Sequence, residues 1–68
     1  MTITDIIKNF AFYGFTETPL TAAEMDQCIS WGFDMDTIYG IGCDCANGYT
    51  FRESVEAADR ERNQLTQA

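Results

Sequence analysis

Four helix-start signals, spread through the chain, most constrain what it can fold into. Thr2, Thr21 and Thr50 are each followed three residues later by an acid. In this capping-box spacing, two side chains and two backbone N–H groups can exchange hydrogen bonds. Asp34 is the fourth candidate N-cap, because it immediately precedes an apolar pattern at helical spacing. The signals at Thr21 and Thr50 are full capping boxes, Thr2 has the same spacing to Asp5, and all four signals predict helices.

Glycines mark where the first three helices are expected to end. Gly14, Gly32 and the pair Asn47-Gly48 follow the apolar patterns, and glycine is the usual residue just past a helix C-terminus. The expected helices cover residues 3–13, 22–31, 35–46 and 51–65. No alternating run of β-branched residues predicts a strand, and the connections are short enough for a compact bundle. The sequence therefore predicts an all-α fold, a small bundle of four short helices.

The bundle is expected to form a single domain over residues 1–68, with fraying of the last few residues from about Arg62. The helical spacing of apolar residues predicts which side chains face the core. In the first two helices these are Ile3, Ile6, Ile7, Phe10, Met25, Cys28 and Ile29. In the third they are Met35, Ile38, Tyr39, Gly42, Cys45 and Ala46, with Asp36, Gly40 and Asp44 outside. In the fourth they are Val55, Ala58 and Leu65.

Two glycines lie inside the predicted third helix. Gly40 faces outward and Gly42 faces inward, where it would let another helix approach closely. Each glycine weakens a helix by roughly 1 kcal/mol relative to alanine. The third helix is therefore expected to be irregular or kinked at this pair.

The net charge of −7 is unevenly distributed along the 68 residues. No Lys or Arg occurs between Asn9 and Phe51, whereas that interval contains six acids. Such a surface repels phosphate backbones and anionic membranes, because binding to either depends on Lys and Arg. The charge distribution predicts no direct contact with nucleic acid or membrane. It favours a basic protein partner, such as a nucleic-acid-binding protein.

Composition and cysteine count predict a cytoplasmic location. The chain has no basic N-terminal region followed by a long apolar run, as an export signal would, and no apolar run approaches the roughly 20 residues that span a bilayer. Three cysteines, an odd number, indicate reduced thiols. A domain of this size has a thin core, so assembly into a homodimer is a candidate source of stability.

The cysteines and acids do not predict a catalytic, metal or cofactor site. Cys43 and Cys45 point about 200° apart on a helix, so they cannot share one ion, and the sequence contains no His to complete a zinc site or activate a thiol. Asp34 and Asp36 are explained by helix capping and by the helix dipole. Cys28 and Cys45 are expected to be buried, and Cys43 to be an exposed thiol whose role stays open.

The aromatic residues exceed what one small core can hide. Large aromatic side chains are common anchors of protein interfaces, although helix ends can also place them in a core. Together with the acids on the outer face of the third helix, they define a candidate interaction surface. Its members are Phe12, Tyr13, Trp31, Asp36, Asp44 and Tyr49.

The stretch GFDMDTIYGIGCDCANGYTFRES, residues 32–54, resembles small conserved proteins from the exo–xis region of lambdoid phages. The resemblance covers about a third of the chain and has no motif tied to a mechanism, so it assigns no functional residues. It implies an accessory protein in the cytoplasm of an infected or lysogenic bacterium, acting on phage development or host takeover through protein contacts.

These observations predict a non-enzymatic acidic interaction module that modulates a host or phage protein. The alternative is a nucleic-acid mimic that occupies the basic groove of a DNA- or RNA-binding protein, as anti-restriction and anti-CRISPR proteins do. A small metalloprotein or thiol enzyme is the third reading and has the least support from the sequence.

Overall fold

The computed structural model describes residues 1–67, with side chains described for residues 1–63. Over these residues the chain forms α1 (Ile3–Phe12), α2 (Ala22–Ser30), α3 (Met35–Ala46) and α4 (Phe51–Gln67). No strand occurs in this part of the chain, and the predicted all-α fold of four helices is confirmed. α1 and α2 end one residue earlier than predicted, because Tyr13 and Trp31 are their C-caps.

The three predicted capping boxes are all present. The hydroxyls of Thr2, Thr21 and Thr50 accept hydrogen bonds from the backbone N–H three residues later, at 3.2, 3.1 and 3.1 Å. The acid at that later position accepts a hydrogen bond from the backbone N–H of the threonine, at 3.0, 2.8 and 3.0 Å. Each box thus satisfies two backbone donors that the first turn of a helix leaves free.

Asp34 caps α3, as predicted. Its Oδ1 accepts a hydrogen bond from the backbone N–H of Thr37 at 2.8 Å. This hydrogen bond favours the ionised carboxylate and lowers the pKa of Asp34. Backbone hydrogen bonds lower the pKa values of Asp5 and Glu53 in the same way.

The first three helices end in the same type of turn. Gly14, Gly32 and Gly48 have φ angles of 96°, 78° and 104°, in the left-handed region that favours glycine. The N–H of the following aromatic residue donates to the carbonyl five residues earlier, at 3.1, 3.2 and 3.1 Å. This is the 6→1 hydrogen bond of a Schellman motif. The three aromatic residues are Phe15, Phe33 and Tyr49.

Eight apolar side chains form the core among the described residues: Ile6, Phe10, Leu20, Met25, Cys28, Phe33, Ile38 and Ile41. They come from all of the first three helices and from the two connections that join them. Leu20 and Phe33 immediately precede the N-caps of α2 and α3, and both are buried in the core. Cys28 is fully buried, which confirms its predicted position.

Two predicted positions in the core are wrong. Ile7 is 42% exposed, because it lies at the edge of the buried stripe of α1. Ala46 is exposed at the end of α3. Cys45 is partly buried and packs against the core, as predicted. Conversely, Ile41 was not among the expected core residues but is 2% exposed, because α4 packs on that side of α3.

α3 lies at the centre of the bundle, packed against both α1 and α4. A Cβ atom at Gly42 would overlap the ring of Phe10, and Pro19 lies beside the same position. The expected close approach at Gly42 is therefore confirmed. α3 is nevertheless a continuous helix from Met35 to Ala46, so the irregularity expected at the two glycines is absent.

α4 packs Val55 and Ala58 against the core, as predicted. Leu65, the third residue of that expected stripe, has a side chain outside the described part of the chain. The expected fraying also falls largely on residues whose side chains are not described, and it stays a prediction. None of the described helices is both long and apolar enough to cross a membrane.

Candidate interaction surface

A groove of about 330 Å³ lies between α3 and α4. Its lining includes Gly40 and Ile41 from α3, and Ala57 and Ala58 from α4. Three carboxylates are also among the lining residues. The complete described lining, called the α3–α4 groove below, is Asp36, Thr37, Gly40, Ile41, Asp44, Ser54, Ala57, Ala58 and Glu61.

The spacing of residues on α3 builds one wall of this groove. Asp36, Gly40 and Asp44 are four residues apart, so they lie along one stripe of the helix. The expectation that this stripe faces away from the bundle is wrong for Asp44, which is half-buried beside α4. The hydroxyl of Ser54, itself 3% exposed, donates to Asp44 Oδ2 at 2.8 Å. The small residues of α4 allow this approach, which fixes the carboxylate of Asp44 at the edge of the groove.

Tyr49 extends this surface past the end of α3. A second depression, of about 480 Å³, shares Asp44 and Ser54 with the α3–α4 groove and includes Tyr49 and Arg60. Tyr49 is 58% exposed at the turn between α3 and α4. The structure therefore brings Asp36, Asp44 and Tyr49, three of the six predicted surface residues, onto one continuous side of the molecule.

The α3–α4 groove is acidic. Its described lining contains Asp36, Asp44 and Glu61, and no Lys or Arg is among those lining residues. Asp36 and Glu61 are exposed, so both can meet a partner's charge. The adjoining depression has a base, Arg60, at its far end. The electrostatic preference of the groove is for a cationic group.

Trp31 lies elsewhere and has structural contacts. It stacks on Phe51 with ring centroids 6.3 Å apart and meets the edge of Phe33 at 6.2 Å. Arg62 of α4 donates from Nη1 to the Trp31 carbonyl at 2.9 Å, and its guanidinium carbon lies 4.6 Å from the Phe33 ring centroid. Trp31 is still 46% exposed, but it joins α2 to α4 and does not line the groove.

Phe12 and Tyr13 lie at the C-terminal end of α1. Phe12 is 81% exposed and meets Tyr13 edge-on at 5.1 Å. Tyr13 in turn packs against Tyr39 of α3 at 4.6 Å. These two predicted surface residues are exposed together, but neither lines the α3–α4 groove. The single surface expected from the sequence is thus divided into three separate places.

Burial keeps two of the three thiols, those of Cys28 and Cys45, in the protonated form to a higher pH than usual. Burial raises the pKa of Cys28 to about 11, with further increases from the charges of Glu24 and Cys45. Burial also raises the pKa of Cys45. A protonated thiol is a weak nucleophile and a poor metal ligand. Cys43, expected to be exposed, is half-buried, and a hydrogen bond with its side chain raises the pKa of Tyr39.

The described residues contain no group of three or more Cys, Asp or Glu side chains that could hold a metal ion.

Seven of the nine described lining residues were not predicted as surface residues from the sequence: Thr37, Gly40, Ile41, Ser54, Ala57, Ala58 and Glu61. Their signal is present in the sequence, since small residues recur on α4 at the positions that face an Asp-x-x-x-Gly-x-x-x-Asp stripe. Small residues allow close helix approach and shallow grooves. The signal becomes readable only once α4 is known to pack against that stripe.

No protein-family model, no curated protein and no solved structure matches this chain. The functional argument therefore depends on the geometry and charge of the surface itself.

Proposed function

We propose that this protein is a non-enzymatic, acidic interaction module that binds a basic segment of another protein in the α3–α4 groove. One observation carries the proposal. Asp36, Asp44 and Glu61 line the groove together with small residues, and no base is among the groove's described lining residues. Such a site offers charge complementarity to Lys and Arg side chains.

The shape of the groove supports a side-chain or helix contact. Gly40 has open space around its Cβ position, so a partner can approach the backbone of α3 there. Lys and Arg bury their methylene stems on apolar surface and keep the charged end near a polar rim. Ile41 and the alanines of α4 would contact the stem, and the exposed carboxylates would meet the charge.

Tyr49 would extend the contact beyond the charged groove. It is exposed, adjoins Asp44 in the neighbouring depression, and aromatic residues are frequent hot spots in protein interfaces. A basic segment lying along α3 would place its far end against this ring. The groove would then provide charge selection, and Tyr49 would provide an apolar anchor.

The resemblance to phage accessory proteins supports a biological setting for this binding. In this proposal the protein acts in the cytoplasm of a bacterial host cell and modulates a host or phage protein during phage development. The alternative is nucleic-acid mimicry, in which the acidic surface of this protein occupies the basic nucleic-acid-binding groove of its partner. Binding that barely changes between low and high salt would count against that version, since salt screens ionic contacts.

The test is capture of partners from a lysate of phage-infected bacteria with three forms of the protein. The groove variant, Asp36→Asn with Glu61→Gln, removes two charges from the site. The control, Glu17→Gln with Asp26→Asn, removes two exposed charges elsewhere. We expect the wild type and the control to retain the same basic protein and the groove variant to lose it.

Equal retention by the groove variant and the control would contradict the proposed site. Equal loss by both would show that total charge, and not the groove, determines binding. The captured protein must also bind when purified, and the wild type and the control must again bind it more tightly than the groove variant does.

A further inference from the structure

Most of the exposed large apolar side chains lie on α1 or directly beside it. Six large hydrophobic residues are exposed among the described side chains, and four of them belong to this segment. These four are Met1, Ile7, Phe12 and Tyr13. Phe12, at 81%, is the most exposed of the six. None of the four is among the described lining residues of the α3–α4 groove.

The same segment is electrically neutral. Residues 1–13 contain one acid, Asp5, and one base, Lys8, whereas the other ten acids and three bases carry the whole net charge of −7. Two copies of this chain repel each other in most orientations, because both surfaces are negatively charged. The repulsion is smallest where the neutral α1 segments meet.

Four residues form a self-complementary stripe on this segment. Met1, Asp5, Lys8 and Phe12 are separated by four, three and four residues, the spacing that keeps side chains along one helical seam. Met1 lies just before the helix and continues the spacing. The seam points away from the core, because the buried residues of α1, Ile6 and Phe10, lie on the opposite side of the helix.

The seam has the symmetry that an antiparallel pair requires. When two copies of α1 run antiparallel about a two-fold axis between Asp5 and Lys8, each Asp5 meets the other copy's Lys8. Each Phe12 then meets the other copy's Met1. In a two-fold interface every contact occurs twice, so this one register forms two ion pairs and two apolar contacts. Lys8 forms no ion pair with the residues that the structure describes.

From this arrangement we infer that a second copy of the chain docks on the outer face of α1, forming an antiparallel two-fold dimer. α1 has ten residues and is thus about 15 Å long. The interface falls at the small end of specific interfaces, below about 1,200 Å². The dimer is therefore weak, with a dissociation constant on the order of 0.1 mM. This inference does not depend on the α3–α4 groove.

The experiment is sedimentation velocity from about 10 µM to about 1 mM, the range in which a weak dimer dissociates. We expect the wild type to pass from monomer to dimer across this range. Phe12→Ala should weaken association at least about tenfold, the scale of a hot-spot residue. Tyr49→Ala removes another exposed aromatic ring, away from α1, and should leave association unchanged.

A charge-exchange experiment tests the antiparallel register. Lys8→Glu gives a seam with two acids, and Asp5→Lys gives a seam with two bases. Each variant alone should stay monomeric, whereas an equimolar mixture should form a heterodimer, because every acid then faces a base. Circular dichroism of each variant checks that it is folded, since Asp5→Lys also removes a capping-box partner.

Two results would overturn the inference. The first is a wild type that stays monomeric up to about 1 mM, where even a weak specific interface associates. The second is a dimer that Tyr49→Ala disrupts but Phe12→Ala does not. Homodimers of the charge variants as strong as their mixture would overturn the register.

Discussion

At the scale of single residues, Gly42 sets the distance between α1 and α3. The ring of Phe10 occupies the space where a Cβ atom at position 42 would lie. Gly40, two residues earlier on the same helix, has no atom within 4 Å of its Cβ position. The two glycines are therefore alike in sequence and opposite in packing.

This difference predicts opposite effects of the same substitution. Gly42→Ala should lower the free energy of unfolding by about 1–3 kcal/mol, the usual cost of overpacking a core. Gly40→Ala should raise it by about 0.5–1 kcal/mol, because alanine favours the helix and meets no neighbour. Urea unfolding of both variants measures this directly. Equal effects of the same sign would show that Phe10 does not pack on Gly42.

Cys28 is the residue whose ionisation is most altered by folding. Its thiol is fully buried, and its pKa is raised from 9.0 to about 11. As the pH rises past 9, the thiol of the unfolded chain loses its proton before the thiol of the folded chain does. Ionisation therefore stabilises the unfolded chain first, and the free energy of unfolding falls between pH 9 and about 11.

We expect this alkaline decrease in stability to be smaller in Cys28→Ala. The variant is less stable at every pH because it leaves a small cavity, so the slope between pH 9 and about 11 is the measured quantity. Urea unfolding at several pH values gives that slope. Ile38→Val, which also shortens a fully buried side chain but removes no ionisable group, is the control and should keep the slope of the wild type. An unchanged slope in Cys28→Ala would contradict burial of this thiol.

At the scale of helices, capping explains why so much of the fold could be predicted. Helix starts depend on hydrogen bonds between residues three apart, and helix ends depend on glycine at one position. Both are local, so Thr21, Asp34 and Gly32 could be identified without any knowledge of packing. All four starts and the first three ends follow these rules.

The candidate surface was harder to predict because it depends on contacts between helices. Helical spacing puts Asp44 on the stripe opposite Ile38, but it does not show that α4 covers part of that stripe. The hydrogen bond from Ser54 to Asp44 joins residues ten apart, and Ile41 is buried by the same packing. Exposure of Phe12 and Tyr49 could be predicted, because both exceed what the local apolar stripes can hide.

α4 is held to the rest of the bundle by Arg62 as well as by its apolar stripe. The Arg62 side chain donates to the Trp31 carbonyl, covers the ring of Phe33 and forms an ion pair with Asp59 at 2.7 Å. These contacts connect the second half of α4 to the turn between α2 and α3. Arg60, two residues earlier, is exposed.

We expect Arg62→Ala to lower the free energy of unfolding by about 1–2 kcal/mol, from the lost hydrogen bond and the lost contact over Phe33. Arg60→Ala removes the same charge and should change stability by less than about 0.5 kcal/mol. Thermal unfolding followed by Trp31 fluorescence measures both. Equal effects would show that Arg62 acts only through net charge.

At the scale of the whole molecule, the acidic groove and the neutral α1 segment occupy different parts of the surface. α3, α4 and the turn between them present carboxylates around a groove of small residues, whereas the outer face of α1 is neutral and apolar. The first surface suits a basic partner and the second suits a copy of the same chain. Because they lie on different helices, a dimer formed through α1 would leave both grooves open and double the binding sites for one partner.

Selection of a basic segment by the α3–α4 groove can be observed residue by residue. The ¹⁵N-labelled protein is titrated with a short helical peptide rich in Lys, and amide chemical shifts are followed. A peptide with Glu at the Lys positions serves as the control. We expect shifts concentrated at Asp36, Gly40, Asp44, Tyr49 and Glu61 with the Lys peptide, and none with the control. Shifts spread evenly over all acidic residues, or centred on α1, would contradict this selection.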